Sequence, residues 1–343
     1  MALPDPELDL MRELLTEDPT ADCFPVVGAE LFERGQFAEA ADVLGAGLAG
    51  GGLSRAETLR LGALHARSAC SAGRFAESLA ALGDLDVDPQ RNEIVQLLID
   101  FKANVNATTW KEKDTALHGA AKNGYNKIVV QLLAAKATIN AQTRIKATPV
   151  LVASESNHVD TVRVLANAKA NVNLACGNGW NPIIAAAFWG HISTTQCLIE
   201  AKACVDQKHS NGTTAVMMAS SKGHSESLHL LLQAKGDVHQ VRARTGECPL
   251  LYAALTDPHD CIKLLLEYKA NVNQSDKTGV EALYLSVERG CMEAVRVLVA
   301  SKANIASMNG TRGTALTKAQ QMGRRDVAEF LTDQLAKQQK SPP

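Results

Sequence analysis

The sequence predicts an all-α protein, most of which is built from two-helix units that repeat every 33 or 34 residues. Two sequence markers carry the repeat. A pentapeptide that begins as KANVN at 102–106 returns six times, at steps of 34, 33, 33, 33, 34 and 33 residues. A tetrapeptide that begins as TALH at 115–118 always starts 21 residues before the next pentapeptide. A fixed period of this length indicates stacked repeats rather than one compact core.

Two helical patterns follow one another in every unit. The first is short and rich in alanine, as in TALHGAAKNG at 115–124. The second, such as NKIVVQLLAAK at 126–136, spaces apolar residues at i, i+3, i+4 and i+7, which is typical of a helix buried on one side. Polar turns with NG, TG or GN separate the units, and the two extra residues fall in the loops 107–114 and 240–247. Neither helix buries its apolar face alone, whereas stacked units do.

The composition fits a folded chain that is not secreted. Of 343 residues, 46% are apolar and 21% are charged, which disfavours disorder. The start, MALPDPELDLMRELL, carries acids where a secretory signal carries basic residues. No run of about eighteen apolar residues is present to form a transmembrane helix. We therefore expect a cytoplasmic or otherwise intracellular protein without membrane insertion.

These residues resemble the ankyrin repeat family, whose unit carries T-P-L-H-x-A-A, then G-H, then V-x-x-L-L, then G-A-x-V-N. The resemblance covers residues 91–337, with a partial leading unit at 91–106 and a polar tail at 338–343. Seven complete units begin near residues 107, 141, 174, 207, 240, 274 and 307. The resemblance implies a solenoid of helix–turn–helix units with short β-hairpin fingers and a concave groove.

Lysine departs from the family pattern at the end of every second helix, where the family has glycine. These residues form a basic ridge of Lys102, Lys136, Lys169, Lys202, Lys235, Lys269 and Lys302. A left-handed lysine costs roughly 1–2 kcal/mol, partly offset by about 0.3–1 kcal/mol from a cation at a helix C-terminus. The ridge is either a contact surface for an acidic partner or a row of solvated helix ends.

Histidines also recur with the repeat. His158, His191 and His224 stand in the G-H position, and a solenoid strings such residues out rather than bringing them together. We therefore expect them to cap neighbouring units instead of binding a metal. Only His118 keeps the histidine of the T-x-L-H element.

The first 88 residues form a different, acidic module. Residues 1–90 contain no Lys, Asn or Ile, all of which are frequent later. GQFAEAADVL at 35–44 resembles GRFAESLAAL at 73–82, and the frame from Phe24 to Leu44 resembles a tetratricopeptide helical hairpin. Because two such hairpins are fewer than these repeats need for stability, we expect the module to pack on the first ankyrin unit. A separate body joined by a short linker is the alternative.

No motif for catalysis, a cofactor or a metal is present. The sequence has no phosphate loop, dinucleotide fingerprint, zinc-protease helix, nucleophile elbow or calcium loop. Its eight cysteines include no C-x-x-C pair, and they are expected to be reduced and mostly buried. We therefore predict a protein that is not an enzyme and that needs no cofactor.

Variable positions of the repeat suggest a partner-binding surface. The predicted groove contacts are Phe188, Trp189, Met218, Tyr252 and Leu255, and the predicted finger contacts are Trp110, Arg144, Trp180, Lys208, Arg242, Arg244 and Lys277. Aromatic residues at the centre with charges around them are typical of an interface hot spot. The alternative is that Phe188 and Trp189 fill a local gap between neighbouring helices. A large loss of stability on their joint replacement by alanine would indicate that alternative.

We therefore predict an interaction module that binds another protein, as an adaptor, a scaffold or a subunit of a larger assembly. The alternative is an anionic ligand, phosphate-rich or nucleic acid, on the basic face, although two distant tryptophans make a poor stacking platform. The net charge of −2 divides into −10 for residues 1–90 and +8 for residues 91–343. This division means that the near-neutral charge of the whole chain does not exclude an acidic partner for the solenoid, and it suggests an intramolecular contact of residues 1–88 with the solenoid.

Overall fold

The chain divides into two compact units, Met1–Ala170 and Asn171–Pro343. The computed structural model describes residues 92, 95–96, 98–100, 104–109, 111–256 and 259–340, the last three by their backbone only. The predicted N-terminal module at 1–88, and with it the predicted tetratricopeptide resemblance, lies outside these residues, as do Lys102 and Trp110. Among the described residues, no helix is long and apolar enough to cross a membrane.

Helices come in consecutive pairs, as the repeat predicts. The first unit contains α1 (Ala116–Lys122), α2 (Asn126–Ala134), α3 (Pro149–Glu155) and α4 (Val159–Asn167), after helical residues between Asn92 and Asp100. The second unit contains α5 (Pro182–Trp189), α6 (Ile192–Glu200), α7 (Ala215–Lys222), α8 (Ser225–Gln233), α9 (Pro249–Thr256), α10 (His259–Glu267), α11 (Ala282–Arg289), α12 (Met292–Ala300), a 3₁₀ turn (Gly310–Arg312), α13 (Ala315–Gln321) and α14 (Arg325–Lys340).

The first helices α3, α5, α7 and α13 begin at a polar cap that the tetrapeptide supplies. Asn181 accepts a hydrogen bond from the Ile184 backbone amide at 3.0 Å, and Thr148 accepts one from Leu151. Pro149 and Pro182 follow these caps at the first helical position, where a missing amide hydrogen costs nothing. Small residues such as Ala185 and Ala186 are completely buried, because the first helices of successive repeats pack against one another.

Lysine ends the second helices in the left-handed conformation. Lys202 has a φ of 62°, and its amide donates to the carbonyl of Ile199 while the amide of Ala203 donates to Leu198. These two bonds form the Schellman motif, which normally requires glycine at this position. The same pair of bonds and a φ between 62° and 70° recur at Lys136, Lys169, Lys235, Lys269 and Lys302. The left-handed backbone expected for this substitution is therefore present at all six described positions.

Finger loops join the helix pairs, and they differ from the predicted β-hairpins. No strand occurs in the described part of the chain, which has only isolated bridges, Thr108 to Thr115 and Ser275 to Glu281. The loops are instead turns closed by two backbone bonds, as where Cys176 donates to Trp180 and Gly179 donates to Cys176. One pair of backbone hydrogen bonds is enough to reverse the chain direction in each loop. The loops are too short to form the further hydrogen bonds of a β-ladder.

The extra residue of each 34-residue step lies in a finger loop, as the sequence predicts. In the loops that start at Thr143, Cys176, His209, Asp276 and Asn309, the closing bond joins residues four apart. The loops that start at Thr109 and Arg242 close instead between residues five apart, with Asp114 and Glu247. A loop therefore absorbs the insertion without disturbing either helix of the unit.

Candidate interaction surface

An aromatic cluster occupies the first helices and finger loops of the second unit, a surface that we call the first-helix face. The ring of Phe188 lies at its centre, 5.3 Å from Trp180 and 5.0 Å from Trp189, with both contacts edge to face. His209 lies edge-on to Trp180 at 6.0 Å. The ammonium of Lys222 lies 4.5 Å from the centre of the Phe188 ring. Such edge-to-face and cation–π contacts hold the rings in fixed orientations.

Trp189 is the exposed member of this cluster. Its side chain is 55% exposed, whereas Phe188 and Trp180 are half-buried. Burying an indole removes a large apolar area from water at little cost in conformational entropy. Phe188 therefore supports the cluster, and Trp189 presents apolar surface to solvent.

The end of α5 is fixed by the next repeat. Gly190 terminates α5 in the left-handed conformation, with a φ of 71°. The Nε2 of His224 donates to the carbonyl of Phe188 at 3.1 Å. The predicted capping role is thus confirmed for His224, and Arg324 takes the same role later, donating to the carbonyl of Glu288 at 3.0 Å. The repeat pattern does not predict this role for the arginine, because it stands where the other repeats have His, Tyr, Cys or Pro.

A second cluster contains two predicted contacts that already have partners within the chain. Arg242 donates to Glu247 Oε2 at 2.7 Å and to the Tyr252 hydroxyl at 3.0 Å, and Thr245 donates to the same carboxylate oxygen at 2.8 Å. Burial first, and then the neighbouring Glu247 carboxylate, raise the pKa of Tyr252. Arg242 and Tyr252 therefore brace the loop and first helix of their repeat rather than stand free.

The other predicted contacts lie apart from these clusters. Met218 and Leu255 are half-buried on α7 and α9. Lys208, Arg244 and Lys277 are exposed on finger loops of the second unit, and Arg144 is exposed on a finger loop of the first unit. The described members of the basic ridge are exposed as well: Lys136, Lys169, Lys202, Lys235, Lys269 and Lys302.

Lys222 and His209 belong to the aromatic cluster and were missed from the sequence. The position of Lys222 in the repeat could have indicated its contact with Phe188, because Lys222 lies at the end of the first helix in the repeat that follows Phe188. Neighbouring first helices pack side by side, so a long side chain at that position reaches the preceding repeat.

Each of the two units contains an open cleft. One of about 470 Å³ lies in the first unit, where Tyr125, Ile145 and the carboxylates of Asp114 and Glu155 line it. Another, of about 450 Å³, lies between α8 and α10 and includes Leu230 and Leu264. In the described part of the chain, no group of three or more His, Cys, Asp or Glu residues is placed to hold a metal ion.

Burial of His118 gives it a structural role. Its side chain is 2% exposed, its Nδ1 accepts from the Thr115 backbone amide at 3.2 Å, and its Nε2 donates to the Ala147 carbonyl at 3.1 Å. Desolvation lowers the pKa of His118. A neutral imidazole that bridges two repeats is thus part of the core of the first unit.

Helix pairs with capped first helices, left-handed ends and finger loops define an ankyrin-type repeat protein. The family model described as "Ankyrin repeats (3 copies)" matches residues 79–176, 120–209, 151–243, 184–276 and 250–341. The chain therefore belongs to the ankyrin repeat family. Ankyrin repeats are generic protein–protein interaction modules, and the fold is typically non-enzymatic.

Known proteins resemble parts of the chain. Inversin of Gallus gallus is 36% identical over 59 residues, which are 17% of this chain and 5% of inversin. Inversin of Mus musculus is 36% identical over 61 residues, or 18% and 6%. These matches span only a small part of either inversin.

Two solved structures share the fold. The human ASB11 ankyrin repeat domain has a TM-score of 0.58 at 23% identity, with 67% of this chain and 100% of that chain covered. The ankyrin repeat domain of Bcl-3, a member of the IkappaB protein family, has a TM-score of 0.57 at 26% identity, with 64% of this chain and 98% of that chain covered.

Proposed function

We propose that this chain is an adaptor, scaffold or assembly subunit that binds a partner protein through the first-helix face of its second unit. The observation that carries the proposal is the 55% exposure of Trp189, held edge-on to the Phe188 ring at 5.0 Å. An exposed indole on a rigid support is a typical interface anchor, since little conformational entropy is lost when it is buried.

The side chains around Trp189 support the proposed binding face. Phe188 contacts Trp189 directly, and Trp180 and Lys222 contact the Phe188 ring in turn. Interface hot spots commonly combine a central aromatic anchor with a polar rim. The tetratricopeptide-like module and the intramolecular contact of residues 1–88 remain proposals beside this one.

Replacing Trp189 by alanine tests the proposal. Affinity purification of the wild-type chain and of Trp189→Ala from the native cell, followed by mass spectrometry, compares the proteins that each retains. We expect the variant to lose its partner, because hot-spot truncations cost about 2–4 kcal/mol of binding free energy. Its thermal midpoint should stay close to that of the wild type.

Ile192→Ala is the matched control. Ile192 is also a large apolar side chain, 43% exposed, but it begins the second helix α6. We expect this variant to retain the partner. Equal retention by wild type and Trp189→Ala, or equal loss in both variants, contradicts the proposed binding face.

The structure also separates Phe188 from Trp189. Because Phe188 is half-buried and contacts three side chains, its replacement by alanine should lower stability by about 1–3 kcal/mol. The double replacement therefore combines a binding effect with a stability effect, and the single Trp189 variant gives the cleaner test.

A further inference from the structure

Cations outnumber acids on the first helices and finger loops of the second unit. Outside the second helices and the four lysines that end them, residues 171–323 carry eight Lys and Arg against six described Asp and Glu. The first-helix face and its loops thus have a small excess of positive charge, although the whole chain has a net charge of −2.

The six carboxylates that the structure describes on this surface are all engaged within the chain. Two of the six form ion pairs, Glu247 with Arg242 and Glu288 with Lys318, each at 2.7 Å. The others accept hydrogen bonds from their own or neighbouring loops. They are Asp206, Asp237, Asp276 and Glu281.

Asp276 illustrates the structural use of these acids. Its Oδ1 accepts from the amides of Thr278 and Val280, at 2.8 Å and 2.9 Å, and from the Thr278 hydroxyl. A carboxylate that closes its own loop in this way is oriented toward the backbone. Its Oδ1 is therefore occupied by its own loop.

Several cations of the same surface are available to pair with the acidic groups of a partner. Lys208, Arg244 and Arg312 are exposed, and none of them forms an ion pair with any residue that the structure describes. Lys222 rests on the Phe188 ring, so a cation and the exposed indole of Trp189 flank the same aromatic ring. Complementary charge at an interface sets the identity of the partner and the association rate.

Building on the proposed function, we infer that the partner presents an acidic segment in which carboxylates adjoin a bulky apolar side chain. The apolar side chain packs on Trp189, and the carboxylates pair with Lys222 and with the free cations of the finger loops. Ion pairs of this kind at the rim add modest affinity each but fix the register of the segment.

Single-stranded nucleic acid fits this face less well. Proteins that bind it without sequence preference combine a positive groove with successive aromatic faces on which bases stack. Trp180 is half-buried and presents its ring edge-on to Phe188 and His209, and Trp189 is the only described tryptophan with most of its surface free. A carboxylate segment needs no such platform.

Selection from a display library of random peptides by the purified full chain tests the inference. We expect the enriched peptides to carry Asp or Glu beside Trp, Phe, Leu or Met. Their affinity should fall steeply between about 0.1 M and about 1 M salt, because the Debye length shortens from about 10 Å to about 3 Å. Enrichment of basic or uncharged peptides overturns the inference.

Charge reversal identifies the cations involved. The variant Lys222→Glu/Arg244→Glu should bind the enriched peptides at least about tenfold more weakly. The matched control is Lys263→Glu/Arg296→Glu, because both residues are exposed on the second helices α10 and α12 and the net charge changes by the same amount. Its affinity should be unchanged. Equal weakening by both variants overturns the inference, since it indicates an effect of net charge alone.

Two further results separate the inference from the proposed function. If Trp189→Ala abolishes peptide binding while the charge reversal leaves it unchanged, the binding face stands and the acidic partner is wrong. If the enriched peptides are displaced by an oligothymidylate strand at equal concentration, the ligand is a nucleic acid and the inference is wrong. If no peptide is enriched, the inference also fails, whereas loss of the cellular partner by Trp189→Ala still supports the binding face.

Discussion

The imidazole of His224 lies directly over Gly190, the residue that ends the helix carrying Phe188 and Trp189. A Cβ placed on Gly190 would lie 2.5 Å from Nδ1 of the ring, and Gly190 has a φ of 71°. The same imidazole donates from Nε2 to the carbonyl of Phe188. One side chain of the following repeat therefore both closes α5 and covers the turn beneath the exposed Trp189.

Gly190→Ala should destabilise the second unit through this contact. The alanine must adopt a left-handed φ, at about 1–2 kcal/mol, and must push the imidazole aside, at about 1–3 kcal/mol more. Gly323→Ala is the control, because Gly323 has a φ of 66° but no atom within 4 Å of the added Cβ. Chemical denaturation should show the larger loss for Gly190→Ala, and equal losses would mean that the His224 contact is irrelevant.

Lys202 provides a test of the left-handed lysines. Lys202→Gly relieves about 1–2 kcal/mol of strain but gives up the cation at the helix end and adds unfolded-state entropy, so stability should change by less than about 1 kcal/mol. Lys202→Val should cost more than about 1 kcal/mol, since a β-branched residue tolerates positive φ poorly.

Lys263→Val is the control for that comparison. Lys263 is exposed within α10 and has no left-handed backbone, so valine there loses only helix propensity, about 0.5 kcal/mol. If both valine variants unfold at the same denaturant concentration, the backbone conformation at Lys202 carries no strain.

Periodicity made the helix pairs and the sites of loop insertion predictable. The steps of 34 residues located the longer loops, which close at Asp114 and Glu247 instead of one residue earlier. Repetition of lysine at the glycine position also predicted its strained backbone. These features depend on local sequence and on contacts between adjacent repeats, which the 33-residue period encodes directly.

Side-chain pairing was not predictable from the same pattern. Arg242 and Tyr252 have suitable residue types for partner contacts, yet both are hydrogen-bonded to the Glu247 carboxylate, a side-chain contact that the repeat pattern does not predict. Phe188 and Trp189 are adjacent in sequence and both lie in α5, and they differ in exposure because successive helical residues project about 100° apart. Which face each ring takes depends on its position in the helix, not on residue type.

Burial of His118 predicts that the first unit loses stability in acid. Its folded pKa is lowered, so its contribution is present above the unfolded value of about 6.5 and is lost as the pH falls toward the folded value. Below about 6.5 the unfolded chain binds more protons, and the denaturation midpoint should decline.

His118→Gln should remove this part of the pH dependence. Glutamine does not titrate, so the variant should be less stable than the wild type at high pH but should show a flatter profile between neutral and mildly acidic pH. Denaturation of both proteins over this range measures the difference. An identical slope in the two proteins would assign the acid sensitivity to other groups.

Glu247→Gln should destabilise the second unit more than the loss of an ordinary surface ion pair. The side chains of Arg242 and Glu247 are only 18% and 25% exposed, and the carboxylate accepts from Arg242, Thr245 and Tyr252. Neutralising it leaves a mostly buried guanidinium without its counter-charge, at a cost of about 1–3 kcal/mol. Asp333→Asn is the matched control, because Asp333 and Lys337 pair at 2.6 Å with side chains 59% and 64% exposed. Exposed pairs contribute about 0.2–1 kcal/mol, so this variant should lose less stability in the same denaturation experiment. A loss for Glu247→Gln no larger than that control would show that Arg242 finds another acceptor and that its loop is not braced by the carboxylate.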